Sequence, residues 1–170
     1  FIVSKQKVQI GGNKRHFLYL VISGVAMGAS WVFLFEAYAQ IGVSLATLAY
    51  YTGPVIVMIF SPIVFKEKFT VVKLLGFMAV VLGMFVVNAE ALLQGQVSSG
   101  LIYGILAAFT YAFMVIFNKK ATSLTGIENP MWQLIVSFIT VTAFLGMKQG
   151  FSTHIPPGSL IPILVLGIVN

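Results

Sequence analysis

Along this chain long apolar runs alternate with short polar punctuation. From Phe17 to Tyr38 the only charged side chain is Glu36, and from Val43 to Phe65 there is none. Five runs of about 19 to 23 residues stand out: His16–Tyr38, Val43–Phe65, Thr70–Asn88, Ser98–Asn118 and Glu128–Met147. At about 1.5 Å rise per residue, each has the length needed to cross the roughly 30 Å hydrocarbon core of a bilayer as an α-helix. A sixth run starts near Gly158 and is still apolar at Asn170, and Phe1–Val3 reads as the tail of an earlier one. With no initiator Met and no signal-peptide pattern, the expected object is an internal piece of a longer polytopic protein. The punctuation is brief. "AQIGV" and "KEKF" separate the first three runs, so consecutive helices are expected to be antiparallel neighbours. "AEALLQGQV" (Ala89–Val97) is the longest break on its side, and the point near Gly95 is the expected boundary between two helical sets, 1–94 and 95–170.

Composition supports the same class. Hydrophobic residues make up 59% of the 170 and charged ones 8%, too little charge to cover a water-soluble exterior. The net charge of +6 raises the question of nucleic acid, but the distribution of the cations answers it. If the chain crosses at every run, Lys5, Lys7, Lys14, Arg15, Lys66, Lys68, Lys73, Lys119 and Lys120 share one side and only Lys148 lies opposite. That is the positive-inside asymmetry of a multi-pass protein in a cytoplasmic membrane. The loops before His16, at Lys66–Lys68 and at Lys119–Glu128 are then cytoplasmic, and no nucleic-acid partner is expected. The absence of cysteine removes disulfides and thiolate chemistry.

Small residues recur at packing intervals: Gly24 and Gly28, Gly100 and Gly104 as GxxxG pairs, and Gly76 and Gly83 seven apart. In lipid such positions let helix backbones approach closely, so packing is the favoured reading and contact with a substrate the lesser one. Pro54, after Gly53, lies near the middle of the second run, where its ring and missing N–H free the carbonyl of Tyr50. Two readings stay open, a kink that shapes packing and a hinge beside a cavity with "LAYYTGP" supplying two phenols and a hydroxyl.

The stretch "VFKEKFTVVKLLGFMAVVLGMFVV", with an acid after one helix, Thr70 three residues on, and then Gly76 and Gly83, resembles the repeat signature of the EamA family in the drug/metabolite transporter superfamily. "EAYAQIGVSLATLAYYTGPVIVMIF" is similar to that family's third-to-fourth helix hairpin, and "SSGLIYGILAAFTYAFMVIFNKKA" to the first helix of a repeat. The resemblance implies an all-α transmembrane bundle of two inverted five-helix repeats, with this chain holding helices three to eight. It departs from the pattern at Lys66, where the family often has Gly. Inverted repeats place a solute site between the halves, exposed alternately to each side. The implied function is a secondary active transporter, an exporter or exchanger of a small metabolite such as an amino acid, coupled to a proton or a counter-substrate.

The candidate cavity residues are Trp31, Tyr50, Tyr51, Gly53, Pro54 and Tyr111, with Glu36 at the outer mouth. Aromatic residues of this kind either anchor helices at the interface or line a solute cavity. Glu36, in the last turn of its run, either reaches the headgroups or faces a cavity as a cation or proton site. Trp132 reads as an interface anchor, and Asn118 as the end of the fourth helix. His16 and His154 fall on opposite sides, so no shared metal site is expected, and no cofactor or catalytic constellation is found. The rival to transport is a non-transporting membrane subunit whose helix seams serve assembly or signalling.

Overall fold

The computed structural model describes residues 14–66, 70–93, 99–122 and 126–150. Its elements are five helices, α1 (Lys14–Tyr50), α2 (Thr52–Phe65), α3 (Val71–Leu93), α4 (Ser99–Lys120) and α5 (Glu128–Gln149). The all-α class expected from the sequence is the class found, with no strand among the described residues. Lys14–Phe65, Ser99–Lys120 and Glu128–Lys148 are each long and apolar enough to cross a membrane, and the protein is an integral membrane protein. The expected sixth run, the start of the chain and the repeat boundary near Gly95 lie outside the described residues.

The corners differ from those the linkers suggested. The segment from Ala39 to Val43 is not an open loop. Helical residues flank it on both sides, and the turn is concentrated in one non-helical residue, Gly42, at φ 78 and ψ 164. That backbone region is accessible almost only to glycine. The two arms of α1 fold back on each other across it. Thr47 on the second arm donates a hydrogen bond to the Tyr38 phenol on the first at 3.2 Å. The second apolar run, Val43–Phe65, is in turn divided at Tyr51 into the end of α1 and the start of α2. Pro54 explains the place. It falls in the first turn of α2, where a residue without an N–H is tolerated. α3 continues to Leu93, past the Ala89 at which a loop was expected, because nothing in "AEALL" breaks a helix. At the end of α2, Lys66 adopts a left-handed conformation, φ 55 and ψ 29. This is the position where the resembling family often has glycine, and a lysine there carries a backbone cost of about 1 kcal/mol.

The packing follows from small side chains. α4 lies against both arms of α1, antiparallel to the first and parallel to the second. Gly100 meets Gln40 and Ile41, and a Cβ placed on Gly104 would come 2.7 Å from the Cβ of Ala49. Ala37, Ala46, Ala107, Ala108 and Ala112 are buried along this seam. α5 runs parallel to the first arm of α1. A Cβ on Gly24 would stand 2.6 Å from that of Val136, and one on Gly28 would stand 2.8 Å from that of Thr140. The buried positions are therefore mostly Gly, Ala and Ser, with Leu20 and Ile116 the larger apolar exceptions, and most large side chains point outward, as expected when the surroundings are as apolar as leucine. Gly76 and Gly83 are different. No atom of the described residues lies within 4 Å of an added Cβ at either position, and α3 packs only lightly against α2.

These seams make two distinguishable predictions. Gly24→Leu or Gly104→Leu should lower stability in detergent by about 1–3 kcal/mol through overpacking. Gly42→Ala should cost a similar amount although no neighbour lies within 4 Å, because the loss there is backbone strain. Thermal melting with helical circular dichroism as readout checks both, and a neutral Gly42→Ala would remove the strained corner.

Candidate functional site

Around the junction of α1 and α2 at Tyr51, polar groups gather. Tyr50 ends α1 and Tyr111 faces it from α4, their rings 5.4 Å apart at 69°. Gly53 makes this possible, since a Cβ there would stand 2.7 Å from the Tyr111 ring and 3.2 Å from the Ala108 carbonyl oxygen. The Tyr50 hydroxyl lies beside Ser30 and faces Tyr38. Ser30, fully buried, donates to the carbonyl of Ala107 at 2.9 Å. Thr52 donates to the carbonyl of Ala49 at 2.7 Å, supplying a side-chain donor at the start of α2. The result is a cluster of hydroxyls from Ser30, Tyr38, Thr47 and Tyr50 beside the Tyr111 ring. Such a surface offers hydrogen bonds and ring contact without a net charge.

Of the residues expected to form one cavity, Tyr50, Gly53 and Tyr111 are brought together. Trp31 and Tyr51 are not, being 48% and 55% exposed. Trp31 instead meets Phe35 edge-on at 6.5 Å, and Pro54 is exposed. Glu36 stands apart, about one and a half turns before the Gly42 corner. It pairs with Lys148 of α5 at 2.5 Å and accepts from Gln40 at 3.3 Å. Ser99 at the start of α4 donates to Gln40 at 2.6 Å, so three helices are tied through four side chains.

A second tie joins the same helices toward the other end. Gln133 donates to the hydroxyl of Ser23 at 2.8 Å, and Ser23 donates to the Met114 carbonyl at 2.9 Å. Asn118 donates to Gln133 at 3.1 Å and to Asn129 at 2.9 Å. Asn118 thus reaches across to α5, where a helix-ending role had been expected. Trp132 packs edge-on against Phe17 at 5.8 Å in a small cluster with Leu20 and Ala121, and its indole N–H has no partner among the described residues.

An apolar groove of about 220 Å³ lies between α2 and α4, away from the tyrosines. Ile56, Phe60 and Val64 form one wall and Phe109, Phe113 and Phe117 the other, with Lys120 at one end. Nothing in the periodicity of either helix singled it out, since all these positions read simply as apolar.

Removing one member of the Ser23–Gln133 tie should be measurable. Ser23→Ala strips Gln133 of an acceptor and should cost about 0.6–1.7 kcal/mol in a detergent unfolding titration. At the Gly42 end Glu36→Lys should lower the melting temperature, and Glu36→Lys with Lys148→Glu should recover most of the loss. No recovery would show that the pair does not couple α1 to α5.

Residues 1–89, more than half of the chain, match the EamA-like transporter family. A curated relative, "Uncharacterized transporter YxxF" from Bacillus subtilis (strain 168), is 27% identical over 147 residues, covering 81% of this chain and 47% of that protein. The chain thus spans about half the length of that relative, and no solved structure matches it. With bilayer-length helices, small-residue seams and the family match in agreement, the chain belongs to the EamA-like transporter family.

Proposed function

We propose that the whole protein is a secondary active transporter that exports or exchanges a small metabolite, such as an amino acid or related organic solute, by alternating access. The observation that carries this reading is the hydroxyl and tyrosine cluster at the broken helix. Intramembrane backbone breaks are tolerated where protein or a polar cavity satisfies the freed groups, and transporters place solute sites at such breaks. Tyr50 and Tyr111 supply the aromatic faces, Ser30, Tyr38 and Thr47 the hydrogen bonds, and the freed carbonyl of Tyr50 an acceptor. The chain divides into two inverted repeats near Gly95, with the loops before His16, at Lys66–Lys68 and at Lys119–Glu128 on the cytoplasmic side. In that orientation the Glu36–Lys148 pair and the Gln40–Ser99 bond close the outer end. Opening toward the outside parts α1 from α4 and α5 at these groups. A proton or counter-substrate gradient drives the cycle.

Full-length protein in proteoliposomes tests this with a panel of amino acids and related organic solutes. Saturable uptake of at least one solute is expected, reduced by about tenfold or more in Tyr111→Ala, at 1.4 kcal/mol per factor of ten, while helix content is retained. If no solute in the panel moves through folded protein, the non-transporting membrane subunit becomes the better reading.

A further inference from the structure

We infer that the groove between α2 and α4 is a binding site for an anionic phospholipid, with one acyl chain along the phenylalanines and the phosphate held by lysines at the groove's end. The inference does not depend on transport. Two separate features meet at this place.

The first is the lining. Among the described residues the closest approaches of two helices are made at a small residue, as at Gly104 against Ala49 and Gly24 against Val136. The groove is walled by Phe60, Phe109, Phe113 and Phe117, with Ile56 and Val64 between them. Large rings on both walls hold off a third helix backbone but leave a slot that a flexible hydrocarbon chain can fill. From Ile56 to Val64 the track is about 12 Å long at 1.5 Å per residue, enough for a substantial part of one acyl chain.

The second feature is charge at one end alone. α2 and α4 run parallel, so their basic ends coincide. Lys120 lines the end of the groove. The Lys119 ammonium sits 4.3 Å from the centroid of the Phe65 ring, on the same end. Lys66, exposed, follows directly on Phe65. Each lysine near a membrane surface contributes attraction for anionic lipid, and basic pockets between transmembrane helices hold anionic headgroups. An oily slot opening under three ammonium groups fits a two-part ligand of the same pattern, a phosphate on a hydrocarbon chain. A second copy of the chain or another of its own helices satisfies the apolar half only.

The test uses full-length protein stripped of lipid in detergent and a phosphatidylglycerol carrying a photoactivatable diazirine in its acyl chain. Labelling is expected within 56–64 and 109–117, competed by unlabelled phosphatidylglycerol far better than by phosphatidylcholine. Lys119→Gln with Lys120→Gln should weaken that competition roughly thirtyfold, two lysines' worth of surface attraction. Lys119→Arg with Lys120→Arg should retain it. Melting curves confirm that each variant is folded. The site is overturned if folded wild-type protein takes no label in these two segments, as it would with another helix or a second copy in the groove. It is overturned equally if the glutamine variant keeps its preference for the anionic lipid. Displacement of the label by soluble glycerol phosphate would identify a free-phosphate site and sink the lipid.

Discussion

The close approach of α4 to the folded-back arms of α1 is the contact on which the remaining structure depends. In lipid, apolar side chains gain nothing by leaving their surroundings for one another, so helices associate through dense packing and hydrogen bonds. Gly100 and Gly104, with Ala46 and Ala49, bring α4 near enough for Ser23 and Ser30 to reach its carbonyls at 2.9 Å. Those serines then serve two ends. Ser23 hands the connection on to Gln133 of α5, and Ser30 stands beside the Tyr50 hydroxyl. Bulk at the glycines would therefore separate the hydrogen-bonding partners as well as the backbones.

Backbone irregularity is concentrated beside this seam. Gly42 turns the chain in one residue, Tyr51 and Pro54 interrupt the second pass, and Lys66 ends α2 in a left-handed conformation. Each departs from regular helix, and each has a local reason. Gly42 has no Cβ to clash, Pro54 lies in a first turn that needs no N–H, and Lys66 holds a position better suited to glycine. The middle break places Tyr50 over Tyr111, whose ring covers the bare backbone of Gly53.

Much of the fold was legible in the sequence because bilayer length and low charge are written into runs of twenty residues. The helix class, the small-residue positions in α1 and α4, and the disturbance at Pro54 could be located without coordinates. Three things could not. The register that sets Glu36 beside Lys148 depends on which helices are neighbours, and short linkers constrain only consecutive ones. The link from Asn118 to Gln133 and Asn129 was hidden because an amide at a helix end has an obvious local use. The orientation of Trp31 and Tyr51 was hidden because an aromatic residue on an apolar helix has no periodic partner to reveal its face. Gly76 and Gly83 illustrate the reverse limit. Their spacing is that of a seam, yet no described atom lies against them.

The corner at Gly42 also restricts what movement the hairpin can make. A linker of many residues has slack, and the helices it joins can slide past each other along the bilayer normal. A one-residue elbow has none. The second arm of α1, with α2 behind it, is left with tilting about a fixed hinge point, so displacement must be least at the elbow and grow toward the opposite end, where Phe65 and the Lys119 ammonium meet. A rocking lever, rather than a piston, is the motion this geometry leaves available.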